Sequence, residues 1–181
     1  MELNKLEKQK IENLVKPLLE QYGYSFKYDT YVDIVSFVRN LGFVVGTSKL
    51  PPNEDGFIII QPDKLVDESK NINSDKIIGV NSDASFDWKR FVIAHEFAHS
   101  ILHYKEGTVY LHRENKKGKS EEENDADYFA AALLMPKESF KREYDKLESS
   151  GLNRNAICYM LSSIFQTPFD SVSRRIDEVC S

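Results

Sequence analysis

The sequence predicts an α+β fold in which a strongly apolar helix lies beside a small sheet of three or four strands, with further helices towards the C-terminus. Two patterns carry that reading. Short β-branched and aromatic runs are confined to residues 43–81, and runs of helical period occupy most of the chain on either side. With 181 residues, 41% of them hydrophobic and 29% charged, there is apolar material for one or two compact domains without covalent staples.

Glu2 to Tyr22 repeats Leu3, Leu6, Ile11, Leu14, Val15, Leu18 and Leu19 near helical spacing, and Pro17 is expected to kink or divide that helix. A second helix is expected from Tyr31 to Leu41, capped by Asp29 or Thr30 and stopped by Gly42. Strands are expected at Phe43 to Thr47, Gly56 to Gln61 and Lys76 to Asn81, separated by the turn residues PPNEDG and by a polar stretch from Pro62 to Asp75. Asp87 can cap the apolar helix from Trp88 to Tyr104, after which Thr108 to Leu111 adds a strand or an irregular turn. The mixed-charge run RENKKGKSEEEN reads as a solvated loop leading into a helix from Ser120 to Met135, for which Ser120 and Glu123 form an S-x-x-E capping box. Pro136 opens a helix reaching Leu147. Ser149, Ser150 and Gly151 then break the chain before a final helical pair, Asn153 to Phe165 and Pro168 to Val179.

Charge and composition exclude several classes. A net charge of −5 disfavours a surface built for nucleic acid or anionic lipid. There is no run of roughly 18 apolar residues to span a membrane, and MELNKLEKQKIENL lacks the apolar centre of a signal peptide, so a cytoplasmic location is expected. Cys158 and Cys180 are too few for a disulfide framework and are expected to be reduced.

The chemistry sits in one window. All four histidines, His95, His99, His103 and His112, fall close together, and residues 95–99 read His95-Glu96-Phe97-Ala98-His99, an H-E-x-x-H pattern. On a helix this spacing sets both imidazoles on one face, able to share a metal, with Glu96 beside the open coordination position. The stripe Trp88, Phe91, Val92, His95, Ala98, His99 and Leu102 turns both rings inward. Two stacked buried imidazoles need partners for four ring nitrogens, and a metal ion satisfies two of them. For a third ligand, Cys158 and Cys180 are poorly placed. His103 lies about 12 Å along the helix axis from His95, too far to share an ion unless the helix breaks. The acidic helix offers Glu121, Glu122 and Glu123. Stepping back from Ala126 and Ala130 puts Glu123 and Asp127 next to the buried stripe, where uncompensated carboxylates would be costly. Asp127 is then placed to accept from the far nitrogen of a ligand histidine.

The segments His95-Glu96-Phe97-Ala98-His99 and Glu123-Asn124-Asp125-Ala126-Asp127-Tyr128-Phe129-Ala130-Ala131-Ala132-Leu133-Leu134-Met135-Pro136 together resemble the ImmA/IrrE family of metallo-endopeptidases. The lead-in Arg90-Phe91-Val92-Ile93-Ala94 and the tail from Ile164 to Ile176 are similar to that family as well. The resemblance implies a reduced thermolysin-like zincin core, gluzincin-like in its third ligand. It implies one Zn²⁺ held by His95, His99 and Glu123, Glu96 as catalytic base, and Asp127 orienting a ligand. It further implies endopeptidase action on a regulatory protein, either a helix-turn-helix repressor of a phage or mobile element or a repressor of a stress response. An oxyanion donor is expected among His103, Tyr104, Tyr110 and His112. A substrate strand is expected to add to a sheet edge at Lys76 to Asn81. Residues 1–148 are read as the metallopeptidase domain and 149–181 as a helical pair packed on it. The rival reading is a metal-dependent regulator that binds DNA or a partner without protease activity, for which Arg174 and Arg175 in the last helix are the support. A third keeps the protease fold but makes it latent.

Overall fold

Asn4 accepts hydrogen bonds from the N–H groups of Leu6 and Glu7, and its own N–H donates to the Glu7 carboxylate, a capping box that starts α1, Lys5–Tyr22. The structure, a computed structural model, describes residues 3–68, 72–105, 110–113 and 120–180, with only the main chain described at 110–113. α1 continues through Pro17 as one helix, so the expected division there does not occur. A proline removes a single main-chain donor, and Ile11, Val15 and Leu19, buried at four-residue intervals, keep one face packed on both sides of it. α2, Ile34–Asn40, begins later than expected because Asp33 is its cap. Asp29 is instead spent on the preceding turn, accepting from the Ser25 N–H at 2.7 Å.

The sheet contains β1, Val44–Ser48, β2, Gly56–Asp67, β3, Ile72–Asn81, and β4, Tyr110–Arg113, in the order β1-β3-β2-β4. β1 runs parallel to β3, and the other pairs are antiparallel. β2 and β3 extend well into the stretch expected to be a loop, pairing Leu65 with Ser74 and Asp67 with Ile72 beyond a register irregularity between Ile60 and Leu65. That arm is largely exposed. Main-chain pairing holds it, so it carries no apolar alternation to read in the sequence. Lys76–Asn81 is not a free edge, because β3 is flanked by β1 on one side and β2 on the other; the edges are β1 and β4.

α3, Phe86–Leu102, starts at Ser85, whose hydroxyl accepts from the Trp88 N–H at 3.3 Å; Asp87 lies inside the first turn. It packs on β2 and β3, and every residue from Arg90 to His99 is buried. α4, Glu121–Leu134, has the expected start, with Ser120 Oγ accepting from the Glu123 N–H at 3.2 Å. α5, Lys137–Glu148, α6, Arg154–Phe165, and α7, Phe169–Val179, follow close to their predicted limits.

The chain groups into two compact units, Met1–Leu3 with Asp33–Ala130, and Asn4–Val32 with Ala131–Ser181. In the first, the Phe97 ring lies edge-on to Phe37, Phe43 and Phe129 with centroids 5.6, 5.8 and 6.0 Å away, which fixes α3 against α2, the start of β1 and α4. In the second, Phe140 packs on Phe165 at 5.3 Å, and fully buried Arg175 donates from Nε to the Met135 carbonyl and pairs with Glu12 Oε1 at 2.8 Å. Cys158 is buried in α6, and both cysteines are free. No helix among the described residues is long and apolar enough to cross a membrane.

Candidate metal centre

The continuous burial of α3 brings His95 and His99, with 2% and 0% exposure, into the interior on one helical face. Their Nε2 atoms approach to 3.1 Å. From α4, Glu123 reaches the same point, with Oε2 at 3.2 Å from His95 Nε2 and Oε1 at 3.4 Å from His99 Nε2. Among the described residues these three form the one group whose donor atoms converge as metal ligands can, all within 4.8 Å of one another.

The donor set fits a divalent ion. A tetrahedral zinc with ligands at about 2.0–2.1 Å holds them about 3.3 Å apart, close to the separations of 3.1, 3.2 and 3.4 Å found here. Charge points the same way. The side chains of Asp127 and Glu123 are only 17% and 22% exposed, so two carboxylates meet two imidazoles in a poorly solvated place, with a third, Glu96, fully buried on the same helix as the histidines. A cation offsets that cost.

The flanking residues fall as follows. Asp127 Oδ1 is 3.1 Å from His95 Nδ1, the ring nitrogen turned away from the donor group. Glu96 follows His95 directly in α3. Its Oε1 lies 3.3 Å from where a Cβ on Gly56 would be, so the first residue of β2 must be bare for the helix to approach the sheet. Sequence reasoning placed Gly56 at the end of the PPNEDG turn and the start of a strand but missed its role; a glycine at the first position of a strand was the available signal. His103 Nδ1 lies 2.9 Å from His99 Nδ1, again the nitrogen turned away from the donors. The N–H groups of His103 and Tyr104 both return to the His99 carbonyl, at 3.0 and 3.1 Å, where α3 ends. Tyr110 and His112 pair through their main chains with Ile60 and Ile58, and their side chains lie outside the described residues.

No curated protein matches the chain in sequence. One solved structure, a Mycobacterium tuberculosis transcriptional regulator, aligns with 94% of this chain at 16% identity and a TM-score of 0.47; the chain spans 47% of that protein's length. Residues 52–177 match the peptidase M78 family, described as the IrrE N-terminal-like domain, a stretch that contains both helices of the donor group. The chain belongs to this metallopeptidase family.

Proposed function

We propose that this chain is a zinc-dependent endopeptidase that hydrolyses peptide bonds in a regulatory protein, a repressor of the helix-turn-helix class. The observation that supports it best is the convergence of His95, His99 and Glu123 with Glu96 on the same helix. Two imidazoles and one carboxylate suit zinc, and three protein ligands leave a position open for substrate. A bound ion supplies Lewis-acid charge and lowers the pKa of its water towards about 7.

The chain's own residues do the rest. Glu96 takes a proton at a carboxylate oxygen from the attacking water and returns it to the amine nitrogen as the peptide bond breaks. Asp127 Oδ1 accepts from His95 Nδ1–H and so leaves Nε2 as the donor atom. A substrate segment bound as an added strand has β1 or β4 to pair with, since β2 and β3 are interior. The rival reading as a DNA-binding regulator leaned on Arg174 and Arg175. Arg175 is buried and paired with Glu12, so only Arg174 of the pair faces solvent.

The test incubates zinc-loaded protein with a purified helix-turn-helix repressor from the same genome. Wild type is expected to cut at one position, and Glu96→Gln to keep stoichiometric zinc while losing cleavage. Cleavage retained by Glu96→Gln would remove the base assignment, and an intact repressor after incubation with wild type would remove the substrate assignment.

A further inference from the structure

We infer that His103 is a positioning residue that holds His99 in the one tautomer able to donate to a metal. This rests on the proposed metal site. The two ring nitrogens of His99 face different neighbours: Nε2 lies 3.1 Å from His95 Nε2 and 3.4 Å from Glu123 Oε1, whereas Nδ1 lies 2.9 Å from His103 Nδ1. A neutral imidazole carries one proton, so an Nε2 that presents its lone pair to a metal requires that proton on Nδ1. The Nδ1–H then donates to His103 Nδ1. His103 must therefore accept there and carry its own proton on Nε2.

The surroundings of His103 favour that choice. Its Nε2 lies 3.9 Å from Asp125 Oδ2, beyond hydrogen-bond distance but near enough for the carboxylate's charge to favour the proton on that side. His103 is the cap residue of α3, with φ −122° and ψ −19°, one turn beyond His99 at the i, i+4 spacing that keeps two side chains on one helical face. The rings sit 5.0 Å apart at 48°, which brings the two Nδ1 atoms together. The two ligand histidines are thus oriented by different chemistry, His95 by a carboxylate and His99 by a neutral imidazole backed by Asp125. A neutral acceptor orients His99 without adding a further anion next to Glu96, Glu123 and Asp127.

Zinc affinity measured by competition with a chromophoric chelator tests this on wild type, His103→Leu, His103→Asn and His103→Lys. Leucine removes the acceptor and is expected to weaken zinc about 10- to 100-fold, as loss of a ligand-orienting partner does. Asparagine, whose Oδ1 can stand near the former Nδ1, should restore most of the loss, and lysine, with no acceptor, should match leucine. Wild-type affinity in His103→Leu, or equal loss in His103→Asn and His103→Leu, overturns the inference. Failure of the wild type to bind zinc overturns the metal site and this inference with it, whereas tight wild-type binding with an unaffected leucine variant overturns the inference alone. Nitrogen NMR of the labelled, zinc-loaded wild type reads the tautomers with no substitution. Protons on His99 Nδ1 and His103 Nε2 are expected, and either proton on the other nitrogen overturns the inference.

Discussion

Gly56→Ala adds one methyl group at the point where α3 lies closest to β2. Its Cβ would fall 2.4 Å from Val92 Cγ1, 3.0 Å from the Gly79 carbonyl oxygen and 3.3 Å from Glu96 Oε1. Non-bonded carbons rest at about 3.5–4.0 Å, so the valine methyl must retreat by more than about 1 Å. Val92 is 2% exposed, and a β-branched side chain in a helix has little rotamer freedom with which to yield. The Gly79 carbonyl belongs to β3, held in register by the Gly56–Val80 pair. The strain therefore passes to the helix as a whole, which carries His95 and Glu96. Overpacking of this kind costs about 1–3 kcal/mol, and in a chain of this size each kcal/mol lowers the melting temperature by about 2–4 °C. Thermal unfolding followed by circular dichroism should show a fall of several degrees. Cleavage kinetics on the zinc-loaded protein should lose kcat more than they raise KM, because the displaced group is the proposed base. Gly46→Ala is the control, since an added methyl there meets nothing within 4 Å. If Gly56→Ala melts within about 1 °C of wild type, the spacing of α3 on the sheet does not depend on the bare backbone at this position.

Asp33→Ala removes the cap of α2 and should cost about 1 kcal/mol. The Ser36 hydroxyl, helped by the Ser36 N–H and the charge of Arg90, holds the Asp33 carboxyl below its ordinary value in spite of partial burial. A lowered folded-state value means the contribution is complete at neutral pH and is lost as pH falls through that value. The gap between wild type and variant in urea unfolding should therefore close below about pH 4, and a gap unchanged at about pH 3 would refute this. Arg175→Met strips the buried partner from Glu12, Glu178 and the Met135 carbonyl. The loss should be near the lower end of about 3–5 kcal/mol, because the Glu12 and Glu178 side chains keep 15% and 11% exposure. Burial already pushes the Glu178 carboxyl above its ordinary value while Arg175 pulls it down. Without the arginine it rises further, and a raised folded-state value stabilises in acid and is lost as pH rises through it. The deficit should thus grow between about pH 5 and pH 8, and a pH-independent deficit would count against the pairing.

The site was legible because its chemistry is written in helical spacing. His95 and His99 share a face by number alone, and Glu123 and Asp127 follow from stepping back along the buried stripe of Ala126 and Ala130. The helices were legible for the same reason, in one case down to the cap, Ser120. Where more than one residue near a helix start could cap it, the sequence did not decide between them: Asp29 serves the preceding turn while Asp33 caps α2, and Ser85 caps α3 while Asp87 lies in its first turn. The outer arm of β2 and β3 was hidden because strands held by main-chain pairing in solvent need no apolar alternation. The place of β3 in the middle of the sheet was hidden too, since it depends on the parallel pairing of the distant β1 along the side that β2 leaves open. The sharing of one compact unit by α1 with α5, α6 and α7 has no local signal either, because its ion pair joins residues as distant as Glu12 and Arg175.

The metal centre depends on constraints that lie outside the motif. H-E-x-x-H puts two nitrogens on one face, but a helix free to roll or slide by 1 Å would lose their match to Glu123 on another helix. Phe97, within the motif yet turned from the histidines, resists that motion by meeting Phe37, Phe43 and Phe129. Gly56 sets the approach of α3 to the sheet on the side of Glu96. On α4, the fully buried Ala126 and Ala130 hold one face of that helix in the interior while Glu123 and Asp127 reach the two ring nitrogens of His95. Each of these residues is uncharged and binds nothing. Each nevertheless fixes where a donor atom stands, so a substitution at any of them should disturb the metal through geometry while leaving every ligand in place.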